Sequence, residues 1–277
     1  MILANKSLKG ILPFRIGCTS YVFPHDILYN VRKLAPYVDD IELVLFESDD
    51  VCNFPDQSVI QELTDIALEN NLTYTVHFPT DRDAGSKNMN ERLVFLEQVE
   101  KIVGTTRNLH PYSYILHFQG IRSGAEREDI TRWKEACYGV CERICALPDS
   151  DPEKICVENL FYPPAWHMDL VNEFGFSLCM DLGHFWVEND ETWDTFFRDN
   201  LPKTRVIHLH GVCNGVDHIS LKKNKKEDLI NAMDILKCGY PHVVTLELFT
   251  IEDILQSLDS VHDIWFGRPR SKEQPER

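Results

Sequence analysis

Short runs rich in Val, Ile, Leu and Phe recur along the chain, and each gives way to a stretch with apolar residues at helical spacing. The runs are FRIGCTSY from Phe14, DIELVLFE from Asp40, LTYTVHFP from Leu72 and SYILHFQG from Ser113. They continue with KICVENL from Lys154, FSLCMDLGH from Phe176, RVIHLHG from Arg205 and HVVTLEL from His242. Amphipathic segments lie between them, among them 56–70 and 91–103, and the segment 226–239 ends on a glycine stop signal. The repeat from strand to strand is roughly 33 residues, the length of one strand–helix unit.

Strands that alternate with helices pair in parallel, because a parallel connection needs a crossover. Eight such units in about 250 residues match a closed (β/α)₈ TIM barrel, an α/β fold. The rival, a doubly wound open sheet, lacks its marker: neither G-x-G-x-x-G nor G-x-x-x-x-G-K-[ST] occurs. The prediction is a single barrel domain over residues 1–267, with 268–277 as a polar, frayed tail.

Histidines and acids gather at the ends of these strands. His77 ends the third and His117 the fourth, and Glu158 closes the fifth. Asp181 and His184 end the sixth in DLGH, His208 and His210 the seventh, and Glu247 lies near the end of the eighth. Parity is compatible throughout: His77 shares a face with Thr75, His117 with Ile115, Glu158 with Cys156, and Glu247 with Thr245. One strand-end histidine reads as a hydrogen-bonded rim residue. Six consecutive strands ending this way read as a ring at the barrel mouth, where such folds place their chemistry. Imidazoles and carboxylates without thiolates suit Zn²⁺ or Mn²⁺.

Composition narrows the function. A net charge of −16 argues against nucleic acid as partner, and the densest basic run, Lys222, Lys223, Lys225 and Lys226, reads as a solvated loop. Nine cysteines without a C-x-x-C pair suit a reducing cytoplasm, and Cys137, Cys141 and Cys145 read as a buried stripe on one helix. No apolar run reaches membrane-span length, so no membrane association is expected.

On these residues the chain resembles the xylose-isomerase-like barrel superfamily, which includes sugar epimerases and the endonuclease IV type of phosphodiesterase. The resemblance spans Phe14 to Leu248. It implies a one-metal core of Glu158, Asp181, His208 and Glu247. The phosphodiesterase branch implies further ligands at His77, His117, His184 and His218. Asp217 and His218 are adjacent here, where that branch separates the pair by one residue, which puts its third metal site in question. IGCTSYVFPHDILYNVRKLAPYVDDIELVLFE, YTVHFP, CVENL, DLGH and HLHGVCNGVDHISL together look like the cobamide-remodelling phosphodiesterase group. That likeness implies a corrinoid substrate, cobalamin or pseudocobalamin, cleaved to the lower-ligand nucleoside and cobinamide phosphate.

The expected enzyme is therefore a hydrolase carrying two or more divalent ions, with Glu158 and Glu247 as catalytic carboxylates. His210 and Asp217 are candidate metal or phosphate contacts. Tyr21, Glu47 and Tyr162 are candidate substrate contacts. The alternative is a sugar or sugar-phosphate isomerase or epimerase, with Glu158 and Glu247 exchanging protons across one ion. A DNA repair nuclease and a non-catalytic corrinoid or metal carrier rank lower, the first on charge and the second for want of D-x-H-x-x-G.

Overall fold

The computed structural model describes residues 6–47 and 52–267; the tail expected at 268–277 lies outside the described residues. Eight strands close a parallel barrel: β1 (Arg15–Thr19), β2 (Asp40–Val44), β3 (Thr73–His77), β4 (Ser113–Leu116), β5 (Ile155–Glu158), β6 (Ser177–Asp181), β7 (Thr204–Leu209) and β10 (Val243–Leu246). Around the ring the order is β1-β10-β7-β6-β5-β4-β3-β2, so the chain is the predicted (β/α)₈ barrel in one domain.

Each apolar run holds one strand. The helical spacing at 56–70, 91–103 and 226–239 corresponds to α2 (Gln57–Asn70), α3 (Met89–Thr106) and α8 (Lys226–Leu236). Asp56 sets where α2 begins, its carboxylate accepting the Val59 N–H at 2.9 Å. The remaining helices are α1 (Ile27–Leu34), α4 (Arg127–Cys145), α5 (Met168–Phe174), α6 (Leu182–Glu188), α7 (Trp193–Asn200) and α9 (Ile251–Phe266). Cys137 and Cys141 are buried on α4, Cys145 partly so, and all nine cysteines are free. Among the described residues no helix is long and apolar enough to cross a membrane.

Side-chain alternation divides the core in two. Ile41, Leu43, Tyr74, Val76, Leu116, Val157, Ile207 and Leu246 point outward and join the large cluster beneath the helices. Ile115, Cys156, Cys179, Val206 and Val243 point inward and form a separate apolar plug. Two residues further along their strands come His117, Glu158, Asp181, His208 and Thr245. Apolar filling thus gives way to polar groups toward the C-terminal mouth, as the parity argument requires.

One segment departs from expectation. Residues 211–219, for which the apolar pattern predicts no further strand, form an antiparallel hairpin of β8 (Gly211–Cys213) and β9 (Val216–Ile219). The turn is Asn214–Gly215, both at positive φ (53° and 75°), the combination a tight two-residue hairpin demands. A Cβ on Gly211 would meet the Ser220 carbonyl oxygen at 2.2 Å, so a glycine is needed where the hairpin leaves the barrel.

Candidate metal centre

The mouth of the barrel is built around two short connections. After β5, Asn159 turns inward and its amide brackets the Asp181 peptide. Its Nδ2 donates to the Asp181 carbonyl at 2.9 Å, and its Oδ1 accepts the Asp181 N–H at 2.7 Å. After β6 the chain enters α6 at once. Asp181 Oδ1 caps that helix by accepting the His184 N–H at 2.7 Å, and the other oxygen, Oδ2, faces the barrel interior. His184 Nδ1 lies 2.8 Å from the Asn159 carbonyl, so it donates there and leaves Nε2 as the lone-pair nitrogen. His77 is set in the same way by its Nδ1 contact of 2.7 Å to the Phe78 carbonyl.

Glu158 stands at the centre. His117 Nε2 lies 2.8 Å from its Oε2, His208 Nδ1 3.3 Å and His77 Nε2 3.7 Å. His208 Nδ1 is also 3.2 Å from Glu247 Oε2 and 3.9 Å from Asp181 Oδ2. Ligand-type atoms converge within 4.8 Å in four groups: Glu158–Asp181–His208–Glu247, His77–His117–Glu158, Glu158–Cys179–His208 and His184–His210–His218.

These residues fit divalent cations. Glu158, Asp181 and His208 are almost wholly buried, and burying several carboxylates in one site is costly unless a counter-charge joins them. His208 Nδ1, Glu247 Oε2 and His117 Nδ1 are buried without a hydrogen-bond partner, although two of them sit at the centre of the site. The donors are imidazole nitrogens and carboxylate oxygens, with the buried Cys179 thiol beside them; zinc accepts the whole set and manganese its nitrogens and oxygens.

The electrostatics point the same way. Burial pushes the Glu158 carboxyl up, but the His117 and His208 imidazoles outweigh it and hold it well below the usual carboxylate range. Asp181 is lowered against its own burial by His184 and His210, and Glu247 by His208. His77, His184, His208 and His210 move oppositely, upward. Burial disfavours charge on His210, yet Asp181 raises it to about 9. Without a metal the site gathers protons, and a cation must displace them to enter.

All eight expected ligands, His77, His117, Glu158, Asp181, His184, His208, His218 and Glu247, fall within these groups. His210 also joins one, but both of its ring nitrogens are engaged. Nδ1 accepts the His218 N–H at 3.0 Å, which leaves Nε2 to donate to Asp181 Oδ2 at 3.2 Å. In this arrangement His210 orients Asp181 and the hairpin instead of offering a lone pair. Asp217 belongs to none of the groups.

None of the three expected substrate contacts is a member of the groups. Glu47 bridges to Cys52, and its carboxylate pairs with Lys101 of α3. Tyr21 is half exposed and lies edge-on to Phe46. Tyr162 is buried against Trp133, at 5.0 Å between ring centres, and with Pro163, Pro164 and His184 lines a side cavity of about 470 Å³.

Three residues escaped the sequence reading. Glu42, inside β2 and fully buried, accepts from His208 Nε2 at 2.8 Å; a second acid at inward parity with Asp40 was its signal. Asn159 and Cys179 carried none.

A cavity of about 1000 Å³ opens beside the centre, lined among others by His117, His184, Lys87, Gln119, Arg122 and Phe161.

A family model described as xylose isomerase-like TIM barrel matches residues 33–264. No curated protein matches the sequence. Among solved structures, a D-tagatose 3-epimerase-like protein superposes with a TM-score of 0.74 at 18% identity, covering 91% of this chain and 98% of its own. Endonuclease IV from Thermus thermophilus gives 0.68 at 16%, covering 92% and 100%. D-psicose 3-epimerase from Clostridium cellulolyticum gives 0.65 at 16%, covering 91% and 98%. At such identities the likeness carries the fold, and the family match carries the assignment: the chain belongs to the xylose isomerase-like TIM barrel family.

Proposed function

We propose that the chain is a metal-dependent phosphodiesterase that opens the nucleotide loop of a cobamide. The observation that carries the reaction class is the number of ligand groups. Beyond Glu158–Asp181–His208–Glu247 lie His77–His117–Glu158 and, with His210 held to Asp181, the pair His184 and His218. A proton transfer across one ion needs only the first group; a phosphodiester needs charge stabilised on both its attacking and its leaving oxygens.

Divalent cations held by these residues would supply Lewis acidity for the phosphoryl oxygens and for the attacking water. The chain's own groups do the rest. Glu158 holds the groups together through Oε2, which faces His77, His117 and His208. Glu247, the most exposed of the four core residues, remains a carboxylate and accepts the proton of that water. Arg122 places positive charge on the wall of the large cavity, beside the Lys87–Asp129 ion pair. That cavity lies at the upper end of the ~300–1,000 Å³ typical of ligand sites, roomy for a monosaccharide and suited to a larger substrate. The corrinoid itself rests on the likeness of the quoted segments to the cobamide-remodelling group.

A second reading, a sugar isomerase or epimerase, is the one the comparisons favour, since two of the three superposed structures are sugar epimerases by name. Glu158 and Glu247, both against His208 Nδ1, would then exchange protons with the sugar.

Protein reconstituted with zinc or manganese, incubated in parallel with a cobamide, a sugar phosphate and abasic-site DNA, separates these readings: product mass reports either hydrolysis, and NMR resolves an epimerised sugar, whose mass does not change. Cobinamide phosphate is the expected product. An epimerised sugar, together with one tightly held ion per chain, would establish the second reading instead.

A further inference from the structure

We infer that Glu42 is a positioning residue that fixes the tautomer of His208, so that Nδ1 is the nitrogen this histidine presents to a metal ion. The inference rests on the metal-binding part of the reading above and not on its substrate.

Glu42 lies on β2 and His208 on β7, with β1 and β10 between them in the ring, so their contact crosses the barrel interior. Both residues are fully buried. Glu42 Oε2 is 2.8 Å from His208 Nε2. A carboxylate only accepts, so Nε2 carries the hydrogen, and in the neutral ring Nδ1 is left with its lone pair. That nitrogen has no hydrogen-bond partner, yet it lies 3.2 Å from Glu247 Oε2 and 3.3 Å from Glu158 Oε2. Three electron-rich atoms thus face one another at the heart of the ligand group. Without Glu42 the proton would move to Nδ1, where two carboxylates wait to accept it, and the ring would be tied up as a donor. Glu42 removes that competitor and makes the lone pair more basic by accepting from the opposite side of the ring.

A purely structural role accounts poorly for this carboxylate. Its second oxygen, Oε1, is buried without a partner, and a buried carboxylate costs far more than an apolar side chain of similar size. The residue beside it in register on β3 is Thr75, and on β1 Thr19, neither of which carries a charge to offset it.

The test uses the full chain and zinc alone. Two variants are compared with wild type, Glu42→Gln, which keeps an acceptor of the same length, and Glu42→Leu, which removes it. Zinc affinity is measured by chelator competition, and the His208 tautomer by ¹⁵N chemical shifts of the metal-free protein at alkaline pH, where the ring is neutral. Wild type should show Nε2–H. Glu42→Leu should shift to Nδ1–H and bind zinc about 10–100-fold more weakly, the range seen when an outer partner of a ligating histidine is removed. Glu42→Gln should fall between the two. If Glu42→Leu does not fold, the glutamine variant carries the comparison, read by the same shifts. Variants that keep Nε2–H and wild-type zinc affinity overturn the inference alone. Wild-type protein that takes up no zinc overturns the metal reading, and this inference with it.

Discussion

The imidazole of His210 lies directly over the backbone of Gly183, so closely that a Cβ at residue 183 would meet Cε1 at 2.0 Å. This contact explains the glycine in DLGH: the first turn of α6 must leave room for a buried ring that joins Asp181 to the β8–β9 hairpin. Gly183→Ala should displace His210, break its contact with Asp181 and cost at least about 1–3 kcal/mol, as overpacking does. Urea denaturation measures the cost. Metal analysis of the same variant should show reduced occupancy, whereas full occupancy at wild-type stability would mean that His210 bears on neither.

Glu158 contributes to three of the four ligand groups. Glu158→Gln preserves shape and loses charge, so it should lower metal affinity about 100-fold and reduce turnover at least as much. Truncating Asp217, which belongs to no group, should change affinity little. Parallel chelator titrations of the two variants make the comparison, and a larger loss at Asp217 would contradict the geometry.

Metal removal should destabilise the fold as well as silence it. With free metal at about 100 times its dissociation constant, binding to the native state alone adds about 2.7 kcal/mol. A thermal scan with and without chelator should show a lower midpoint when metal is withdrawn. Coincident curves would show that the carboxylates are neutralised by protons alone.

His167 supplies a stability switch remote from the metal groups. It is fully buried with neither ring nitrogen hydrogen-bonded, and burial, aided by the charge of Lys134, lowers it from 6.5 to about 3. Between those values the unfolded chain binds a proton that the folded chain refuses. Its contribution is therefore full above pH 6.5 and is lost as the pH falls toward 3, by up to ~1.4 kcal/mol per pH unit. His167→Leu should flatten the stability profile over that range in equilibrium urea melts. Parallel profiles would show that the native ring accepts the proton after all.

The strands and their inward faces were legible because a period of two in the sequence is a period of two in space. Ile115 and His117 differ by two residues and occupy successive levels of the same interior. The hairpin after β7 has its own signal in Asn214–Gly215, a pair suited to a tight two-residue turn. Glu42 was harder. An acid in the middle of an apolar run looks like a solvent-facing residue until the opposite wall of the barrel is known, and His208 is 166 residues away. The engagement of both His210 nitrogens was beyond any pattern, since it depends on a backbone N–H delivered by the left-handed residue His218 (φ 49°).

Because Glu158 belongs to neighbouring groups at once, those groups cannot fill independently. An ion drawn to His77 and His117 changes the charge left on the carboxylate for an ion beside His208, and the reverse holds to the same extent. Occupancy of the barrel mouth is then one linked equilibrium. Each ion that enters weakens the hold on the next, so the barrel mouth would fill over a wider span of metal concentration than a single ligand group.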